Sequence, residues 1–349
     1  RARVGPIAVA AATVALVAWM PVAFELNFGQ LTMPALALLA AARLAQARGR
    51  PALAGVLIGL AILLKPTPWP VVLLLAAHRQ WRLVGASIAT VALGFGAAAA
   101  VMGPATIVRY FVVVLPWVNR VYATTVQNMS LWSVGWRLFY GTRGIGGVGF
   151  DSPPLVDAPA LAPIAAALLP AGLLAVALLW SLRRPGVDIC LGVGAALSAL
   201  LSPVGWSFYA VLAIIAAWQI ALAVQRHGYP RQETNWALLA ALAGAVGWPV
   251  LIQGWLSPTL AASGNLALSF PEAQTHLAWT VSILIIAALA ALLGARGLVG
   301  DPVAERRQGE AAGGPMPTGT SGSLPRSARA PRLGGIYVRL GRIEGAKLT

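Results

Sequence analysis

Lys65 stands alone among apolar residues, in the run Leu64-Lys65-Pro66-Thr67-Pro68-Trp69-Pro70. An ammonium at membrane depth costs about 2.5–3.5 kcal/mol on insertion scales, so it either snorkels to head groups or meets an anion inside the protein. The neighbouring prolines break the helix, and freed backbone groups are tolerated at that depth only where protein buries them or they line a wet cavity. Cation and broken helix together point to a site for an anionic lipid or substrate. A helix-end lysine reaching for head groups is the alternative. Farther along, Arg109, Arg120, Arg137 and Arg143 interleave with Trp117, Tyr122, Trp132, Trp136, Phe139 and Tyr140. Guanidinium groups suit phosphate recognition, and aromatics between them suit an amphipathic helix lying in the interface. An aromatic belt with snorkelling arginines would carry the same residues.

The elements that must hold these groups are apolar and long. Of 349 residues, 58% are hydrophobic and 10% charged. Apolar segments cover 6–24, 31–47, 51–64, 69–77, 83–102, 159–182, 187–201, 207–224, 235–255 and 277–295. The pattern predicts an all-α fold, a polytopic transmembrane helical bundle of about ten membrane segments. Basic clusters follow alternate segments: Arg43, Arg48 and Arg50; Arg79 and Arg82; Arg183 and Arg184; Arg226 and Arg231; then Arg296, Arg306 and Arg307. Placed in the cytoplasm, they give a consistent topology with both termini cytoplasmic and loop 103–158 outward. The transmembrane domain then spans 1–300, and the Gly-, Pro-, Ser- and Arg-rich stretch 301–349 reads as a disordered cytoplasmic tail.

Composition also excludes. The formal charge of +15 lies in short clusters between apolar segments, so no nucleic-acid partner is expected. Cys190 is the one cysteine, which rules out a disulfide framework. His78, His227 and His276 are isolated, so neither a metal site nor a cofactor is expected. The use of Ala, Leu, Gly and Arg suggests a bacterial chain, hence the inner membrane of a bacterial cell.

Segments 51–64 and 69–77, and less clearly 187–201, are short for a hydrocarbon core of about 30 Å. They suit broken or re-entrant helices turning at two proline-bearing motifs, Lys65-Pro66-Thr67-Pro68 and Ser202-Pro203-Val204-Gly205-Trp206, both toward the outer face. Kinked hairpins whose prolines serve packing alone are the alternative. The G-x-G-x-x-G at Gly144, Gly146 and Gly149 follows no predicted strand and reads as a loop.

Several stretches, in order, resemble one family. Phe28-Gly29-Gln30-Leu31 opens a span, and Arg48-Gly49-Arg50 follows; Ala54-Gly55-Val56-Leu57-Ile58-Gly59-Leu60-Ala61 then runs into the Lys65 motif and Arg79-Gln80-Trp81-Arg82. Downstream come Gln127-Asn128-Met129-Ser130-Leu131 and Leu201-Ser202-Pro203-Val204-Gly205-Trp206. Over roughly 20–225 this order resembles the GT-C membrane glycosyltransferases of glycosyltransferase family 87, which include polyprenyl-phosphate-mannose-dependent α-(1→2)-mannosyltransferases. The resemblance implies an outer-face enzyme that takes a hexose from a polyprenyl-phosphate sugar donor and gives it, with inversion, to a lipid or glycan acceptor. Lys65, Arg109, Arg120 and Arg137 are then candidates for the donor phosphate, where charge accumulates in the transition state. Asn27, Gln30, Gln127 and Asn128 could hold sugar hydroxyls, and Trp206 and Tyr209 could stack on a sugar or an isoprenoid chain.

The chain also departs from the family pattern. The family's basic aspartate lies in the first outer loop, before the Gly-Gln motif; residues 1–25 contain none, and Glu25 is the nearest carboxylate. Where members often carry Asp and His after the Ser-Pro-x-x-Trp motif, this chain has Ser207, Phe208 and Tyr209. With Arg1 in first place, these departures predict a chain lacking the N-terminal part of a family member and inactive alone. A divergent enzyme using another base is the alternative. A lipid or solute transporter and a non-catalytic membrane subunit remain as readings from other classes.

Overall fold

The computed structural model describes residues 20–143, 150–183, 185–227, 266–267 and 277–295. The chain divides into two units, Arg1–Gln308 and Gly309–Thr349, and every described residue belongs to the first. Segment 235–255, most of 6–24 and the tail 301–349 lie outside the described residues.

The described part is helical. It begins with α1 (Met20–Asn27), α2 (Thr32–Ala47), α3 (Pro51–Leu64), α4 (Trp69–Ala77) and α5 (Trp81–Met102). Next come α6 (Pro104–Arg109), a π-helical turn (Tyr110–Val114), α7 (Leu115–Tyr122) and α8 (Leu131–Phe139). Then come α9 (Ala162–Leu182), α10 (Val187–Leu201), a 3₁₀ helix (Ser207–Ala213), α11 (Ile214–His227) and α12 (Leu277–Ala295). A two-residue parallel ladder, Phe150–Asp151 with Leu266–Ala267, is the one sheet among the described residues.

Two of these helices are long and apolar enough to cross a membrane alone, Trp81–Met102 and Pro159–Leu182. Five shorter apolar helices accompany them: Thr32–Ala47, Pro51–Leu64, Val187–Leu201, Phe208–Ile220 and Thr280–Leu293. The sequence expects about ten segments; among the described residues, the helices of full spanning length number two.

Helix α10 is the axis of the bundle, because all 15 of its residues are buried. One apolar core joins it to α9, α12 and the 3₁₀ helix, and a second joins it to α2, α3, α4 and α5. Near its N-terminus, Asp188 accepts from Arg43 Nε at 2.9 Å and Nη2 at 2.6 Å, tying α10 to α2.

Helix α3 packs closely on α5 through Gly55 and Gly59. A Cβ on Gly59 would lie 2.6 Å from Thr90 Cβ and 2.8 Å from the Ser87 carbonyl, and one on Gly55 would lie 2.7 Å from Ala86 Cβ and inside the Leu83 carbonyl. Ser87 Oγ donates to the Gly55 carbonyl at 3.0 Å, a cross-helix bond that only this approach allows. Small residues in that register let apolar helices meet at backbone distance. Gly59→Val should therefore destabilise the bundle by about 1–3 kcal/mol through overpacking, whereas Gly85→Ala, facing open space, should not. Thermal unfolding of the detergent-solubilised variants checks this.

Candidate active site

Three helix interruptions meet at Lys65. The first is the turn between α1 and α2, where Gly29 takes a left-handed φ of 58° that favours glycine. The second is the Lys65-Pro66-Thr67-Pro68 break between α3 and α4, and the third leads from α10 through Ser202–Trp206 into the 3₁₀ helix. Lys65 is buried. Its Nζ donates to Thr32 Oγ1 at 2.6 Å and stands 3.9 Å from the ring centre of Tyr209 and 5.0 Å from that of Phe208. The ammonium thus points into the protein, between a hydroxyl and two aromatic faces whose quadrupoles attract a cation. Both proline-bearing motifs contribute to one place.

Glu25 completes the group from α1. Its side chain is 2% exposed, and Oε1 accepts from the backbone N–H of Thr32 and, at 2.8 Å, from that of Met33. A carboxylate there satisfies two otherwise unpaired donors at the start of α2 and favours the positive end of its dipole. Glu25 Oε2 is buried and accepts no hydrogen bond among the described residues. The carboxylate is close enough to act electrostatically on both Lys65 and Tyr209. Thr32 links the two charges, since its backbone meets Glu25 and its hydroxyl meets Lys65.

An aromatic row leads away from this centre. Phe208 packs on Phe28 at 6.5 Å and stacks on Trp206 at 6.4 Å, and Trp206 meets Tyr122 of α7 edge-on at 5.2 Å. Lys65 is therefore connected through rings to α7, which follows α6 and the π-helical turn. Those helices carry Arg109 and Arg120, both exposed, and α6 and α7 bury no residue. Asn27 is also exposed, while Gln30 and Gln127 are half-buried.

Asn128 and Arg137 are put to a different use from the expected contacts with sugar and phosphate. Asn128 Nδ2 donates to the carbonyls of Tyr122 at 3.0 Å and Pro203 at 3.2 Å; Oδ1 accepts from Ser130 N–H at 3.0 Å and Gly205 N–H at 2.8 Å. All four hydrogen-bonding positions of the amide are thereby filled by backbone. Arg137 is fully buried, and its Nη2 donates to the carbonyls of Thr125 at 3.0 Å, Val126 at 2.6 Å and Asn128. Burial pushes its pKa down to about 9, which leaves it cationic at neutral pH. Arg137 braces the irregular loop between α7 and α8 from within, and Asn128 ties that loop to the Ser202–Trp206 turn. The Asn128-Met129-Ser130 sequon is consequently enclosed rather than displayed.

Known proteins provide one decisive comparison. A family model described as glycosyltransferase family 87 matches residues 1–203. The chain belongs to glycosyltransferase family 87. Neither a curated protein nor a solved structure matches it significantly. As a family 87 member the chain is a glycosyltransferase, and its apolar helices mark it as a membrane protein. Sugar donor and acceptor are its partner classes.

Sequence reasoning did not name Thr32, Phe28 or Phe208 as site residues, though all three lie at the Lys65 cluster. Thr32 lies two positions after Gln30 at the start of a helix, where a threonine usually reads as a cap. Its hydroxyl instead faces Lys65, while Glu25 supplies the cap.

Asn128→Ala should strip both the loop and the Gly205 turn of partners and destabilise the protein by more than about 2 kcal/mol, as expected when buried polar groups lose their bonds. Thermal unfolding and protease cleavage between residues 122 and 130 should both register the change.

Proposed function

We propose that this family 87 enzyme moves a hexose, mannose being the sugar suggested by the family resemblance, from a polyprenyl-phosphate donor to a hydroxyl of a lipid or glycan acceptor. The reaction is placed at the outer face of a bacterial inner membrane, with both termini cytoplasmic. The observation that carries this reading is the inward-turned Lys65 ammonium, held by Thr32 and two rings beside the Glu25 carboxylate.

In this scheme the acceptor oxygen attacks the anomeric carbon as the bond from that carbon to the phosphate oxygen breaks. On the alternative of a divergent enzyme with its own base, Glu25 Oε2 takes the proton from the acceptor hydroxyl, and the phosphate leaves with the bonding pair. Negative charge grows on the phosphate, and Lys65 stabilises it as it grows. Arg109 and Arg120 draw the anionic head group toward the site from the outward helices. Arg137 and Asn128 serve at one remove, by fixing the turn that carries Trp206. Trp206 and Tyr209 offer faces to the sugar or the first isoprene units, and Gln30 and Gln127 offer amides to sugar hydroxyls. Asn27 lies nearer the surface, where it could meet the acceptor.

Membranes containing the protein, supplied with polyprenyl-phosphate mannose radiolabelled in the sugar, should transfer label to an acceptor fraction. Lys65→Ala should reduce transfer about a hundredfold or more, as removal of a transition-state charge partner does. Transfer unchanged in Lys65→Ala would sink the reading.

A further inference from the structure

We infer that Thr32 is a positioning residue of the transfer site: its hydroxyl holds the Lys65 ammonium in register with Glu25. The inference rests on the transferase reading above and adds to it a residue that neither motif nor family pattern singles out.

Thr32 has no exposed surface. Its hydroxyl oxygen accepts from Lys65 Nζ at 2.6 Å, and its backbone N–H donates to Glu25 Oε1. One residue therefore touches both charged groups. The two contacts differ in kind. The backbone contact survives any substitution except proline, whereas the hydroxyl contact belongs to Thr or Ser alone. Other neighbours of Lys65 do not replace it, because Phe208 and Tyr209 present ring faces at 5.0 and 3.9 Å. Ring faces attract the ammonium without fixing the direction of any one N–H bond. A short hydrogen bond to a side chain on a rigid helix does fix one.

Directional control matters because an ammonium on a flexible four-carbon stem has many rotamers. With one N–H committed to Thr32, the other two point away from α2. Charge on the leaving phosphate is then met by a donor already in place, with little reorganisation during bond breaking. Without the hydroxyl, Lys65 would keep its charge and its rings but lose its register to Glu25.

The test compares Thr32→Val, which keeps the β-branch and the backbone bond to Glu25, with Thr32→Ser, which keeps the hydroxyl. Transfer from radiolabelled polyprenyl-phosphate mannose is followed in membranes, with kcat and the donor KM measured separately. Thr32→Val should lower kcat about tenfold with a smaller change in donor KM, and Thr32→Ser should stay within about twofold of the parent. In a Lys65→Met background, Thr32→Val should add no further loss, since its effect passes through the ammonium. Equal losses in Val and Ser variants, or full additivity with Lys65→Met, would overturn the positioning role. If Thr32→Val does not accumulate, Thr32→Ala removes the same hydroxyl and carries the same comparison. An inert parent protein would instead count against the transferase reading, while an active parent indifferent to Thr32→Val would count against Thr32 alone.

Discussion

An ammonium enclosed by apolar helices has to be compensated from within the protein, and here the compensation comes from helix ends. Continuous helices consume their own backbone donors and acceptors, so a bundle of unbroken helices offers a buried cation little. Interrupted helices offer free termini and non-helical turns. In this chain the breaks at residues 28–31, 65–68 and 202–206 converge. Each supplies something different: a hydroxyl on a carboxylate-capped helix start, the cation itself, and a pair of aromatic faces. The Lys65 contacts thus explain why these particular helices are broken and why they pack with their breaks together.

A second polar assembly, around the loop between α7 and α8, supports the first. The loop between α7 and α8 forms no regular structure around residues 123–130, so its carbonyls need partners from elsewhere. Arg137 takes three of them, and Asn128 connects the same loop to the turn after α10. Trp132 Nε1 adds a bond to the Leu201 carbonyl at 3.0 Å, and Met129 N–H donates to the Gly205 carbonyl at 2.6 Å. The Gly205 backbone is consequently held on both sides, and Trp206 follows it directly. Placement of the aromatic row thus depends on polar groups that never need to touch a substrate.

Much of the helical layout is legible in the sequence, because long apolar runs bounded by proline, glycine and arginine leave few choices. The segments expected at 51–64, 69–77 and 187–201 coincide with α3, α4 and α10. Lys65 is legible too, since a lone cation in such a run demands an explanation of its own. Partnerships are not. Asn128 and Arg137 have the side chains expected of a sugar or phosphate contact, and composition gives no measure of how many backbone carbonyls a neighbouring loop leaves unsatisfied. Thr32 is hidden for the converse reason: its type and position at a helix start suit capping, yet a carboxylate seven residues earlier takes that task. Residue type sets what a group can donate or accept, while topology decides which group reaches it first.

Three cations held within the fold show how that competition sorts structural charge from chemical charge. Arg43 is matched by the Asp188 carboxylate through two hydrogen bonds, so its charge is neutralised and spent on joining α2 to α10. Arg137 is enclosed completely and directs one nitrogen at three loop carbonyls, while its Nε and Nη1 are buried without a hydrogen-bond partner among the described residues. Lys65 has a single hydroxyl and two ring faces, with Glu25 acting on it electrostatically while that carboxylate caps α2. A hydroxyl and two quadrupoles orient an ammonium but do not neutralise it, so the charge stays available to an incoming anion. Of the three, Lys65 alone lies between aromatic faces and beside a carboxylate with which it forms no direct ion pair.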